Sequence, residues 1–369
     1  MNGLSQNRAF DEDDLAMFAA AVDRWAVDQA AAAPAEGWRA MAELGLGSLG
    51  IGAARGGLGG NMAEIALVMQ AIGHAPADQP YWSAIVLAAA LVEAADGEGR
   101  HDALLAAMVE GRMRVALAHQ EPASGPDPDW VETRGRASGA DWRLSGAKRF
   151  VLDGPGADRL LVSARMDDGA LGLFLVRPDA AGVTLTAYPT VDDRPACDLR
   201  LDDVALSAAD RVGDGDARPA LLRAHRRALL GLCAEGVGVI AATLAQTVDY
   251  MQSRQQFGVP IISFQALQHR LADLLVAEME ATAITRRAIA AYDGEAADAA
   301  SLASAAKAYV SQAALAVTQA AVQLHGGMGM TEELAIGRYL KRAQMIATML
   351  GDADWHIGLL DRMDIHGAA

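Results

Sequence analysis

Two short stretches near the end of this chain hold residues able to do chemistry: Gln323-Leu-His-Gly-Gly-Met-Gly-Met-Thr-Glu-Glu333 and Met349-Leu-Gly-Asp-Ala-Asp354. Gly326 and Gly327 let backbone come close to a ligand, and Gln323 offers an amide donor and acceptor. Upstream, Asp249-Tyr-Met-Gln-Ser-Arg-Gln-Gln-Phe-Gly-Val-Pro-Ile-Ile-Ser-Phe-Gln265 adds a second set. Arg254 carries a planar fork that suits phosphate or carboxylate. Phe257 gives an apolar wall beside Gly258, and Gln265 a further amide. Each also has a plain structural reading: a surface cation at a helix end, ordinary core, a helix stop. Asp352 and Asp354 can take a proton or cap a helix, and Glu235, His225 and His325 can also move protons. Cys197 and Cys233 lie far apart in no metal-like spacing, so structural thiols, a reducing compartment and no metal site are expected.

The elements that position these residues follow from pattern. With 369 residues, 52% of them hydrophobic, two or three structural units can share a large core. Much of that fraction is alanine, which favours helix. A net charge of -16 argues against non-specific nucleic-acid binding but leaves room for an anionic ligand held by a few local cations. Met1 to Asp14 is polar and acidic with no apolar core of a signal peptide, and no uninterrupted apolar run approaches the ~20 residues of a spanning helix. A soluble cytoplasmic protein is expected. Residues 1–114 read as helical: Leu15, Phe18, Ala19 and Val22 share one stripe, and Ile65, Leu67, Val68 and Ile72 continue the style. The glycine runs at 45–52 and 56–60 lack a strand–GxGxxG–helix setting, so they read as a close-approach loop between helices. Residues 115–215 change to short strands, such as Leu160–Ala164, Leu173–Val176, Val183–Leu185 and Leu199–Leu206, punctuated by Gly, Asp and Pro. With no helices between them, an antiparallel sheet or barrel is expected. Residues 216–369 return to long helices joined by short turns, a bundle in which Gly236 and Gly238 permit close helix contact.

Several ordered motifs together resemble the acyl-CoA dehydrogenases. Asp249 to Gln265 is similar to that family's Arg-x-x-Phe-Gly…Gln segment, and Gln323 to Glu333 to its Gln-x-x-Gly-Gly-x-Gly segment. Glu121-Pro-Ala-Ser-Gly-Pro-Asp127 resembles its Thr-Glu-Pro-x-x-Gly-Ser-Asp loop. Ser145-Gly-Ala-Lys-Arg-Phe-Val-Leu-Asp-Gly154 resembles its Gly-x-Lys-x-Trp-Ile-Thr-Asn-Gly strand. The resemblance covers nearly the whole chain. It implies an α+β fold: an N-terminal helical domain, a central antiparallel β domain and a C-terminal four-helix bundle. It also implies FAD, with Arg254 at the pyrophosphate, Phe257 beside it, Gln265 and Gln323 toward ribose or adenine, and Gly326 and Gly327 close to the ligand. In this family the flavin ring of such a half-site sits mainly in a neighbouring subunit, so an oligomer is implied. The reaction implied is oxidation of an acyl-CoA Cα–Cβ bond, with electrons passed to an electron-transfer flavoprotein.

The resemblance breaks at the chemistry. The family places its catalytic glutamate just before the glycine aligned with Gly351, where this chain has Leu350. A minority place it two residues beyond Arg226, at Ala228, within the basic run Arg223-Ala-His-Arg-Arg227. Neither Leu nor Ala accepts a proton. On the flavin side, Gln120 replaces a threonine, Pro126 a serine, and Phe150-Val-Leu152 the Trp-Ile-Thr triplet; Pro126 has neither hydroxyl nor N–H, although Phe150 can still stack. Gly258-Val-Pro-Ile, Phe264-Gln-Ala-Leu-Gln-His and Gly351-Asp-Ala-Asp resemble the small subunit of pimeloyl-CoA dehydrogenase-type enzymes, whose relatives include heteromeric steroid side-chain dehydrogenases. The expectation is a subunit with no catalytic residue of its own. It would help hold FAD for a second acyl-CoA dehydrogenase chain in a heterotetramer acting on a steroid, bile-acid or dicarboxylyl thioester. The alternatives are a self-sufficient homotetramer with an atypical base, a flavin monooxygenase or oxidase, and a purely structural partner.

Overall fold

The computed structural model describes residues 12–29, 34–75, 79–331 and 334–367. Glu333 of the glycine-rich stretch and most of the acidic N-terminal segment lie outside them. The chain forms two compact units from interleaved segments, Ala32–Asn61 with Asp78–Ala228, and Phe10–Ala31 with Met62–Ala77 and Leu229–Ala369. The N-terminal helices divide between the units. Helices α1 (Glu12–Gln29) and α3 (Met62–His74) belong to the second; α2 (Pro34–Glu43), α4 (Ala90–Ala95) and α5 (Asp102–Val109) belong to the first. A fully buried π-helical stretch, Tyr81–Ala89, runs into α4.

The first unit is built on an eight-stranded sheet: β1 (Val115–Ala118), β2 (Arg134–Ser138), β3 (Asp141–Leu152), β4 (Arg159–Met166), β5 (Leu171–Val176), β6 (Val183–Pro189), β7 (Pro195–Leu206) and β8 (Arg211–Val212). The order is β6-β7-β3-β2-β4-β5-β8, with β1 paired to β4. The purely antiparallel expectation needs correction, because β4 runs parallel to both β1 and β2. β1 lies along residues 159–162 of β4 and β2 meets it at Arg165 and Met166, so the two act as one strand line interrupted by residues 119–133. The remaining pairs are antiparallel. Leu144, Val151, Leu160, Val162, Phe174, Leu199 and Val204 form the core on this sheet; each such side chain removed from water contributes about 1.5–3 kcal/mol. The glycine runs near the start of this unit do serve close approach. A Cβ on Gly57 would collide with the Ile51 carbonyl, and one on Gly50 with the Arg227 guanidinium.

The second unit holds the C-terminal helices α6 (Arg218–Ser253, from Leu229 onward), α7 (Gln265–Asp293), α8 (Ala299–His325), α9 (Ile336–Thr348) and α10 (Ala353–Gly367). Among the described residues α7, α9 and α10 pack on α8, the helical bundle expected of this region. As the spacing suggests, glycines set the tightest crossings: a Cβ on Gly238 would meet the Gln70 carbonyl of α3, and one on Gly236 the Val310 side chain of α8. Arg342 of α9 grips Glu235 of α6 through two bonds, Nε–Oε1 2.5 Å and Nη2–Oε2 2.7 Å, both side chains buried. α6 is long and apolar enough to cross a membrane, but 89% of its most apolar window is buried, which marks a core helix. Both cysteines are free and buried, and no group of metal-ligating side chains occurs among the described residues.

Candidate functional site

Beyond α6 the chain makes a tight hairpin, β9 (Gln255–Gln256) against β10 (Val259–Pro260). Its two turn residues are both left-handed, Phe257 at φ 53° and Gly258 at φ 83°, as a two-residue hairpin loop requires. A phenylalanine in that region costs about 1–2 kcal/mol. Phe257 is 93% exposed, with Phe264 edge-on to its ring at 6.1 Å. The hairpin is closed by the Ile261 N–H donating to the Arg254 carbonyl (2.8 Å), and Gln265 follows as the first residue of α7. Arg254, Phe257 and Gln265 thus bracket one hairpin.

The other candidates lie at the end of α8. Gln323 is in its last turn, and Gly326 ends it at φ 60°, ψ -138°, a conformation open only to glycine. The two groups are tied by a pair not evident in the sequence. Tyr250 of α6 stacks on His325 at 4.3 Å, and its hydroxyl donates to the His325 carbonyl at 3.2 Å. His325 is buried and its Nδ1 bonds the Ala321 carbonyl (2.8 Å), so it packs rather than catalyses. All six predicted residues are therefore gathered at one end of the second unit, and all are exposed. A Cβ on Gly258, Gly326 or Gly327 would meet nothing within 4 Å. For Gly327, whose φ is ordinary, the chain's own packing gives no reason for glycine. Bare backbone, an exposed aromatic residue, the Arg254 guanidinium and two amides are thus all solvent-facing.

At the turn after α9, Leu350 (φ 56°) and Gly351 (φ 105°) are both left-handed. Asp352 Oδ1 accepts the Trp355 N–H at 2.8 Å, so Asp352 caps α10, and Asp354 sits in that helix's first turn. Glu235, the third carboxylate considered, is held by Arg342.

In the first unit the family motifs resolve into structure. Glu121 is buried and accepts from Lys148 Nζ (2.7 Å) and from the N–H groups of Glu132 (2.6 Å) and Thr133 (2.9 Å). Burial pushes its carboxyl up, but the Lys148 charge and these bonds outweigh that and hold it below its ordinary value. Burial brings the Lys148 ammonium down to about 8. Lys148 also donates to Ser163 Oγ (3.0 Å), which shares a 2.9 Å bond with His119 Nδ1. Burial, then Lys148 and His225, pull His119 down to about 3, so it is neutral. Phe150 (φ 53°) sits at a break in the β3–β7 register, its N–H on Asp198 Oδ1 at 3.0 Å. Leu152 is buried. Ala228 is fully buried, and the Trp82 indole N–H donates to its carbonyl at 2.8 Å.

Comparison with known proteins places this architecture. Family models for the N-terminal, middle and C-terminal domains of acyl-CoA dehydrogenases match residues 5–111, 116–204 and 224–363. Acyl-CoA dehydrogenase FadE27 of Mycobacterium tuberculosis is 30% identical over 334 residues, covering 88% of this chain and 87% of that one. A variant of the Tcur3481-Tcur3483 steroid ACAD is 29% identical with a TM-score of 0.86, covering 96% and 99% of the two chains. The ChsE4-ChsE5 complex of Mycobacterium tuberculosis is 25% identical, also at 0.86, covering 96% and 98%. The chain belongs to the acyl-CoA dehydrogenase family, which uses FAD to dehydrogenate acyl-CoA thioesters.

Proposed function

We propose that this chain is the cofactor-holding subunit of a heteromeric acyl-CoA dehydrogenase, and that a second, related chain supplies the base and most of the acyl-CoA pocket. The observation that carries the reading is a contrast. The six residues assigned to the nucleotide are all exposed, while the two positions where the resemblance puts the base hold Leu350 and a buried Ala228. Bound FAD would accept the hydride from the substrate's Cβ. Toward it, Arg254 would pair with the pyrophosphate, Gln265 and Gln323 would bond ribose or adenine, and Gly326 and Gly327 would allow backbone contact. Phe257 would be covered once cofactor and neighbour are in place. Two of each chain, a steroid, bile-acid or dicarboxylyl thioester, an electron-transfer flavoprotein as electron acceptor and a cytoplasmic setting complete the proposal. The likeness to two structures with paired chain names, one of them a steroid ACAD, supports a second chain and a steroid thioester.

Expression alone against co-expression with a dehydrogenase-like partner gene tests this reading. The single chain is expected to be colourless or unstable, and the co-purified complex yellow and active. A yellow, active assembly of this chain by itself would sink the proposal. In the complex, Arg254→Ala is expected to lower flavin content at least about tenfold, the scale of one lost charge-assisted bond. Unchanged flavin content would remove Arg254 from the site.

A further inference from the structure

Lys307 of α8 is fully buried, yet no carboxylate among the described residues pairs with it. Lys148, the other buried lysine, has Glu121 at 2.7 Å. Lys307 Nζ instead donates to the Gly351 carbonyl (2.6 Å), the Ala347 carbonyl (3.3 Å) and Ser311 Oγ (3.0 Å). Ala347 lies in the last turn of α9, where carbonyls lack helical partners and a cation meets the negative end of the helix dipole. Gly351 is the second residue of the left-handed pair, on the far side of Leu350. One amine therefore grips both sides of the reversal that carries residue 350. The Leu350 carbonyl is held separately, by His356 Nε2 at 3.2 Å.

We propose that Lys307 is the positioning residue of the Met349–Asp352 turn, and that its amine, rather than the side chain at 350, sets the turn's shape. Only the interest of position 350 rests on the family reading; the clamp rests on this geometry. It explains how a chain can carry leucine where relatives carry their base and still keep the frame around it. The acceptor set suits either protonation state. An ammonium donates to all three partners; a neutral amine donates to the two carbonyls and accepts from the Ser311 hydroxyl. The titratable groups that bear on Lys307 are Cys233 from α6 and Asp352 from the turn itself, and His356 of α10 faces the same turn. Burial brings Lys307 down to about 8 from an ordinary 10.5. An opened turn would solvate the amine and bind more protons than the closed one, so rising pH favours closure between those two values.

Hydrogen exchange on the full chain tests the clamp, read at the amides of Met349, Trp355 and His356, which bond Met345 O, Asp352 Oδ1 and Asp352 O. Lys307→Met is expected to speed their exchange about tenfold or more, the cost of stripping partners from buried carbonyls. Leu350→Ala and Leu350→Glu are expected to leave it unchanged. After correction for intrinsic exchange, wild-type protection should rise through about pH 8, and Lys307→Met should show no such rise. Should Lys307→Met fail to fold, Ser311→Ala is read in its place, with a smaller acceleration expected, together with the wild-type pH series. The proposal is overturned if Leu350→Ala opens the turn as far as the lysine variant. Wild-type protection in Lys307→Met, or protection that falls as pH rises, overturns it equally. None of these readings needs flavin or thioester, so they stand apart from the test of the heteromer.

Discussion

Glu121 and Lys148 form an ion pair out of reach of water at the two ends of the excursion of residues 119–133 from the sheet. Glu121 accepts the Glu132 and Thr133 N–H groups, so its carboxylate closes the excursion between β1 and β2. Removing the cation alone, as in Lys148→Met, strands a buried carboxylate and is expected to cost about 3–5 kcal/mol in denaturant unfolding. The sign of the pH dependence should also change. In the wild type the native carboxyl sits below its ordinary 4.5. The pair's stabilisation is full above that value and lost as pH falls through the native pKa, because the unfolded chain takes up the proton first. Without Lys148, burial is the main influence left and pushes the carboxyl up. Lys148→Met should then gain stability, relative to wild type, as pH falls toward 5. Parallel losses in both proteins on acidification would show that the pair does not set this response.

At the scale of elements, glycine does two opposite jobs, and substitution separates them. Gly238 lets α6 cross α3 backbone to backbone, so Gly238→Val should cost several kcal/mol or prevent folding, since both colliding partners are main chain. A Cβ on Gly327 would meet nothing within 4 Å among the described residues, so Gly327→Val should leave thermal stability within about 0.5 kcal/mol of wild type while lowering flavin content in the assembled complex. If both substitutions destabilise equally, Gly327 is structural and the half-site loses a member. This contrast also marks what the sequence reveals. Helix stripes and the β zone are legible because each depends on neighbours within a few positions, whereas Arg254, Phe257, Gln265, Gln323, Gly326 and Gly327 stand out only through the motifs that resemble the family. The β1–β2 line is not legible, since it is defined by pairing with β4, Val115 with Arg159 and Arg134 with Arg165, far beyond local neighbours. Lys307, Tyr250 and the partner of Glu121 escape for the same reason. Lys307 reads as one more residue of an alanine-rich helix until Gly351, forty-four positions away, supplies its acceptor.

At the scale of the whole molecule, α7 exposes a row of apolar side chains. Leu275, Val276 and Met279 of α7 are 48%, 52% and 62% exposed, and their i, i+1, i+4 spacing puts them on one helix face. Single exposed apolar side chains are ordinary, but a contiguous row on one helix marks a surface that another chain covers. α7 begins at Gln265, so this face belongs to the helix that leads out of the half-site hairpin. A neighbour seated on it would bring its own residues toward the nucleotide, which is what the proposed division of labour requires. Met279→Lys places a charge where the neighbour's apolar surface would lie, at a position already exposed in the single chain. Its fold should therefore be unharmed, with circular dichroism and melting temperature unchanged. The complex should instead weaken by about tenfold or more in dissociation constant, read as a fall in mass by light scattering on dilution, with flavin lost in step. A complex of undiminished mass that keeps its flavin would show that the neighbour sits elsewhere, and the exposed half-site would then need a different explanation for its uncovered phenylalanine.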